Sequence, residues 1–359
     1  MKKYYKSAKY KKYNKKHSRK QQEKARIFKI YTKRKNRYKR FNPYKPTTRG
    51  KNKFHGETVS APSNFSLVEN AQEVIEFINY LDGLYSRRKP VFVNLTEVEN
   101  LGYEIIVVLL AVMIKFKNRK IEFNGNYPLN ETAKRRLIQS NFFKVLYNRN
   151  QKNTAINIGN IKGNGIYTHI KKNVDSKLGS NLISQAAYTI WNEERACKGV
   201  QRTLIELMTN TNNHAGKTPG EKNWWLSLSC IEKDKKVIFS FVDFGKGIFK
   251  SLLEGKGTVE KWFKWYNELT GKYNNAQILK MILSGEMHET VTGQSHRGKG
   301  LPGIYEASKL NSLSNLYIIS NDVFADIGNN IYTKMSVNLN GTFVWWEINS
   351  KNKSVILKD

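Results

Sequence analysis

Val237-Ile-Phe-Ser-Phe-Val242-Asp243-Phe244-Gly245-Lys246-Gly247-Ile248 is the stretch on which the reading of this chain turns. Val237 to Val242 reads as a buried strand, and it ends in an acid followed by two closely spaced glycines. An Asp-Gly turn closing a hairpin is the plainer alternative. Upstream, Glu206-Leu-Met-Thr-Asn210 lies in a predicted helix from Val200 to His214, so Glu206 and Asn210, four apart, project from one face. By itself such a pair is an ordinary polar helix surface. Downstream, His296-Arg297-Gly298-Lys299-Gly300-Leu301-Pro302-Gly303-Ile304 reads as a glycine-rich loop entering a helix. Glycines let backbone N–H groups point at an anion, and the helix start adds its positive end. Pro302 fits the first turn, where its missing N–H costs nothing. Arg297 and Lys299 add charge there or are solvated surface groups. Gly341-Thr342, before the apolar strand Phe343 to Ile348, is the fourth segment; a simple hairpin turn reads it equally well.

In this order the four segments supply a carboxylate, a metal-ligating amide, a base-reading acid and phosphate-cradling glycines. The order resembles the GHKL superfamily of ATPases and its Bergerat nucleotide fold, an α/β sandwich of a mixed sheet covered by helices. That resemblance implies ATP and Mg²⁺ as cofactors. It implies Glu206 as the general base that polarises the attacking water and Asn210 as the Mg²⁺ ligand. Asp243 would accept the adenine amine, with Gly245 and Gly247 letting the backbone approach the base. Arg297, Gly298, Lys299, Gly300, Leu301 and Thr342 would complete the nucleotide contacts. The further spacing Glu206-x3-Asn210-x3-His214 is closest in pattern to the anti-sigma-factor serine kinases, although a packing or capping role for His214 stays open. Asn213 stands where sensor histidine kinases often carry a Lys.

The first half carries a second resemblance. Helical spacing from Phe65 to Tyr85, a strand at Pro90 to Leu95, an apolar helix from Ile105 to Phe116, a strand at Lys120 to Asn124 and a helix at Glu131 to Gln139 form a small α/β layer. Asn94-Leu-Thr-Glu-Val98, Asn126-Tyr-Pro128 and Ser140-Asn-Phe-Phe143 are similar to a STAS domain, the anti-sigma-factor-antagonist fold. Where that family often carries Asp-Ser-Ser-Gly with a phosphoacceptor Ser, this chain has Gly102-Tyr103-Glu104-Ile105, without such a hydroxyl. The domain serves either packing or partner docking.

Charge is concentrated at one end. Residues 1–53 hold 23 Lys and Arg against one acid, so +22 of the net +33 lies there, interleaved with nine aromatic residues. Self-repulsion and few aliphatic side chains argue for a tail, residues 1–57, disordered in isolation, with Lys20 to Lys35 able to form a helix on a partner. Lys and Arg neutralise phosphates and Tyr stacks on unpaired bases, so RNA or single-stranded DNA is the favoured partner, with an acidic protein, a membrane or mere solubility as alternatives. The expected order is therefore the tail, a STAS-like domain at 58–150, a linker at 151–177, the ATP-binding domain at 178–350 and a short tail at 351–359.

Two cysteines, Cys197 and Cys230, do not make a disulfide framework or a Cys-x-x-Cys metal site, and they fit a reducing cytoplasm. The longest apolar run, Ile105 to Ile114, has ten residues, too short to span a bilayer, and no apolar segment follows the basic start as in a secretory signal. The segment 255–297 is expected to be the nucleotide lid; its apolar stretches Trp262 to Tyr266 and Ile278 to Leu283 read as packing residues, or else as a homodimer or protein-partner surface. The expected function is an Mg-ATP-binding switch ATPase. A serine/threonine protein kinase acting on a partner, and a non-hydrolysing binding module, are the alternatives.

Overall fold

A computed structural model of the chain describes residues 56–140, 142–147, 165–169, 174–214, 224–253, 270–286 and 300–353, together with seven residues between Tyr10 and Gln22. The chain divides into a unit Met1–Phe54 and a unit His55–Asp359. The seven described residues of the first unit are helical; the rest of the expected disorder at 1–57, and the tail's expected helix beyond Gln22, lie outside the described residues up to Gly56. Glu57 already belongs to a strand of the second unit.

The first half of that unit is built on parallel strands. β1 (Glu57–Ser60), β3 (Val91–Asn94) and β5 (Phe123–Gly125) form a three-stranded sheet in that order, all parallel. A short parallel pair, β2 (Asn64–Phe65) and β4 (Asn100–Leu101), stands apart from it. Parallel neighbours need long crossovers, and here these contain α1 (Ala71–Ser86) and α2 (Tyr103–Asn118). α3 (Glu131–Gln139) follows, capped by Asn130, whose side chain accepts from the Thr132 and Ala133 amides at 3.0 Å. α4 (Phe142–Tyr147) ends this half.

The second half is a five-stranded antiparallel sheet ordered β6-β7-β8-β10-β9. Its strands are β6 (Gly165–His169), β7 (Trp224–Ile231), β8 (Lys236–Asp243), β9 (Ser314–Asp326) and β10 (Ile331–Asn349). The stretch 151–177, expected to be a linker, thus contributes an edge strand, which pairs with Trp224–Leu228 of β7. Helices α5 (Ser176–Trp191), α6 (Lys198–His214), α7 (Gly247–Leu253), α8 (Asn275–Ser284) and α9 (Gly300–Lys309) complete this half. The chain is therefore mixed α/β, with one parallel and one antiparallel main sheet. Among the described residues no helix is long and apolar enough to cross a membrane.

Alternation along the strands gives the large sheet two buried faces. Leu226, Phe239, Phe241, Val344 and Trp346 join α5, α6, α8 and α9 in one core. Trp225, Val242 and Phe343, alternate members of the same strands, and Ile319 of β9 join the core of the first half. Both faces being covered explains why α2 is apolar all round: it packs against β5 of the small sheet and against β7 and β8 of the large one. α1 reaches β10 in the same layer, where Gln72 Nε2 donates to Ser336 Oγ at 2.6 Å and Asn79 Nδ2 donates to the Asn338 carbonyl at 3.0 Å. The two halves share a helical layer. Within the expected lid, Ile278, Leu279, Ile282 and Leu283 are core residues of α8 rather than an exposed partner surface; Trp262 to Tyr266 lie outside the described residues.

Candidate functional site

α6 turns Val200, Leu204, Leu207 and Met208 into the core. Helical spacing then leaves Arg202, Glu206 and Asn210 along another side of the helix, and α9 packs there. A Cβ on Gly300, the first residue of α9, would fall 2.7 Å from Glu206 Oε2 and 3.7 Å from Asn210 Nδ2. One turn on, a Cβ on Gly303 would meet the Arg202 guanidinium at 2.6 Å, and Arg202 pairs with Glu306 at 3.5 Å. Gly300 and Gly303 let the two helices close until the start of α9 rests on the Glu206 carboxylate, a favourable place for negative charge. Pro302 does fall in the first turn of α9. Leu301, the second residue of α9, is partly buried and packs against the core. Arg297, Gly298 and Lys299 lie outside the described residues, as does the side chain of His214.

The second cluster stands at the end of β8. Thr342 of β10 pairs with Asp243, and a Cβ on Gly341 would fall 2.0 Å from the Asp243 carbonyl oxygen. Gly341 also has φ +145°. Only a residue without a side chain lets β10 close here. The Gly245 amide donates to Asp243 Oδ1 at 3.0 Å. Burial pushes the Asp243 carboxyl up to about 7, against the lowering effect of that amide. Gly247, at φ +73°, starts α7, and a Cβ on it would fall 2.5 Å from Asn321 Oδ1. The loop is thus tied down by β9. Ser320 Oγ accepts from the Ile248 amide at 2.8 Å and donates to the Gly341 carbonyl at 3.2 Å. Asn321 Oδ1 accepts from the Phe249 amide at 3.2 Å, and its Nδ2 donates to the Lys246 carbonyl at 2.9 Å.

The fold thus brings Glu206 and Asn210 to Gly300, and Asp243 to Gly245, Gly341 and Thr342. Both clusters are rooted in the same core, through Leu207 and Met208 of α6, Ile304 of α9, Phe241 of β8 and Ile248 and Phe249 of α7. The sequence reading missed Ser320, Asn321 and Arg202. The signal for the first two was the polar break Ser320-Asn321-Asp322 inside the apolar run from Leu316 to Val323.

Where the STAS resemblance places a phosphoacceptor, Glu104 is buried and accepts from Ser66 Oγ at 2.6 Å and from the Leu67 amide at 3.0 Å. Burial raises its pKa, opposed by these hydrogen bonds. This carboxyl fastens the loop after β2 to the start of α2. A cleft of about 240 Å³ lined by Tyr103, Thr132, Arg135, Arg136 and Gln139 also belongs to the first half, not to the two clusters. No protein-family model matches the chain, and no curated protein is significantly similar to it.

Proposed function

We propose that this chain is an Mg-ATP-binding ATPase of the GHKL type, its second half a Bergerat α/β sandwich, acting as a nucleotide-dependent switch. One observation supports the reading: segments far apart in the chain gather into two clusters rooted in one core. Glu206 and Asn210 abut the first residue of α9, while Asp243 and Thr342 stand side by side at the end of the sheet. Their chemistry fits the group. Glu206 and Asn210 offer oxygen donors of the kind a hard cation shares with phosphates and water. Bound Mg-ATP supplies the transferable phosphoryl group and the charge to be neutralised.

On this reading Glu206 orients water and takes its proton, and the Asn210 side-chain oxygen holds the metal. The N–H groups at the start of α9 face phosphate. Asp243 accepts a hydrogen bond from the exocyclic amine of adenine. Residues 1–53 engage RNA or single-stranded DNA, and the STAS-like first half serves as the surface for a protein partner. The supports for these last two are composition and pattern.

The test is ATP binding with and without Mg²⁺, for wild type and Asp243→Asn, with phosphate release followed in the same samples and in Glu206→Ala. Binding that the Asp243 variant loses, with release that the Glu206 variant loses, is the expected result. Wild type that binds no ATP overturns the proposal. Labelled phosphate retained on a protein, rather than released, converts the switch into a protein kinase.

A further inference from the structure

The amides of Ile248 and Phe249 are the second and third N–H groups of α7, which starts at Gly247. Such groups lack partners within their own helix, and a local side chain usually satisfies them. Here the partners come from 72 residues further on, Ser320 Oγ at 2.8 Å and Asn321 Oδ1 at 3.2 Å. Both are buried, at 0% and 3% exposure. The local backbone is bent to present them. Asn321 has φ +53°, a left-handed conformation that Asn tolerates better than most residues. Opposite it, β10 shifts register between Leu339 and Thr342.

We infer that Ser320 and Asn321 are positioning residues of the nucleotide site, a cap supplied by β9 that holds the Asp243 loop in its base-reading geometry. The inference rests on the nucleotide reading above. Three observations converge on it. Each side chain makes bonds on two sides: Ser320 joins α7 to Gly341, and Asn321 joins α7 to the Lys246 carbonyl. Ser320 Oγ also lies 3.3 Å from Thr342 Oγ1, whose residue pairs with Asp243. Gly247 leaves room for no side chain between the loop and Asn321. With two of its first amides so occupied, α7 keeps them from phosphate, and its role is to fix the base end of the site. Phosphate is left to the start of α9.

A positioning role differs from a merely structural one in what it does to selectivity. Inosine triphosphate replaces the exocyclic amine of ATP with a carbonyl, so an Asp243 carboxylate held in place discriminates between them. The experiment measures both affinities for wild type, Ser320→Ala, Asn321→Gly and Asn321→Asp, on protein shown to be folded by circular dichroism. Glycine suits the left-handed backbone, so Asn321→Gly removes the side chain without adding strain. The expected result is a wild-type preference for ATP that falls about tenfold or more in Asn321→Gly and severalfold in Ser320→Ala, with inosine triphosphate binding much less changed. Asn321→Asp keeps the acceptor for Phe249 and loses the donor to Lys246, and is expected between wild type and the glycine variant. Folded variants that keep the wild-type ratio overturn the inference while leaving the nucleotide reading intact. Wild type that binds ATP without preference over inosine triphosphate, or binds neither, overturns the base-reading role of Asp243 itself.

Discussion

Replacing Asp243 by Asn should make the protein more stable at pH 8 relative to wild type than at pH 4. The ordinary Asp value of 3.8 rises to about 7 in the folded protein because burial disfavours the charge. Between those values the unfolded chain has lost the proton while the folded chain keeps it. Stability therefore falls as pH rises through this window, by at most ~1.4 kcal/mol per unit. Taken over the whole window the loss would be about 4 kcal/mol; the side chain keeps partial access to water, and roughly half, ~2 kcal/mol, is the expected figure after allowing for screening. Below the ordinary value, and above about 7, the difference between the two proteins is flat. The assay is urea unfolding of both proteins at steps of half a pH unit. ATP enters the same cycle: an amine donating to the carboxylate favours its ionised form, so binding near pH 6 should release a proton, seen as a calorimetric heat that depends on the buffer's ionisation enthalpy. Parallel stability curves for the two proteins, or proton-neutral binding, would refute the reasoning.

Four further outcomes are expected. Glu206→Gln should retain ATP and lose about 10²- to 10⁴-fold in phosphate release, the usual contribution of a general base; unchanged release removes Glu206 from the chemistry. Gly341→Ala should cost about 2–4 kcal/mol from left-handed backbone strain and displacement of β10, and should weaken ATP binding as well; thermal unfolding and a binding titration read the two effects. Trp225→Ala, at a side chain 5% exposed in the core shared with the first half, should cost ~3–5 kcal/mol and lower both halves together in one transition; separate transitions in a thermal scan count against the shared layer. Removing residues 1–53 should abolish most binding to single-stranded RNA and flatten its salt dependence, since these residues carry +22 of the net charge.

The parts of the fold legible in the sequence are those whose pattern is local. Val237 to Val242 announces a strand because an apolar run meets a polar turn at each end, and the structure runs it from Lys236 to Asp243. α2 is legible as buried, but not what buries it, since the large sheet lies far along the chain. β6 was missed because an edge strand in an Asn- and Gly-rich stretch depends on pairing to β7 rather than on its own apolar content. β9 runs through the polar break Ser320-Asn321-Asp322 to Asp326, a continuation that the break conceals in the sequence. The hairpin turn that Gly341-Thr342 also suggests gives way to a register shift within one strand, Ile331–Asn349. At the site the same rule holds. Glu206 and Asn210 share a face by spacing alone, and Asp243 marks a strand end. Ser320 and Asn321 act across 72 residues, and no local pattern states their partners.

That long-range fastening bears on how a nucleotide-dependent switch would reach the rest of the protein. Phe244 follows Asp243 in the chain, and Phe343 follows Thr342. Both pack against the core of the first half, Phe343 fully buried and Phe244 partly. The Glu206 end has no such neighbours: Leu207 and Met208 belong to the opposite core. Strand alternation thus gives the Asp243 end a second root, in the core that α2 builds, besides the one it shares with the α6 end. A ligand that displaces the Asp243 loop must move Phe244 against that first-half core, and a packed interior resists continuous deformation. The first half, more than the helices on the other face, is where a change at the base end would be felt.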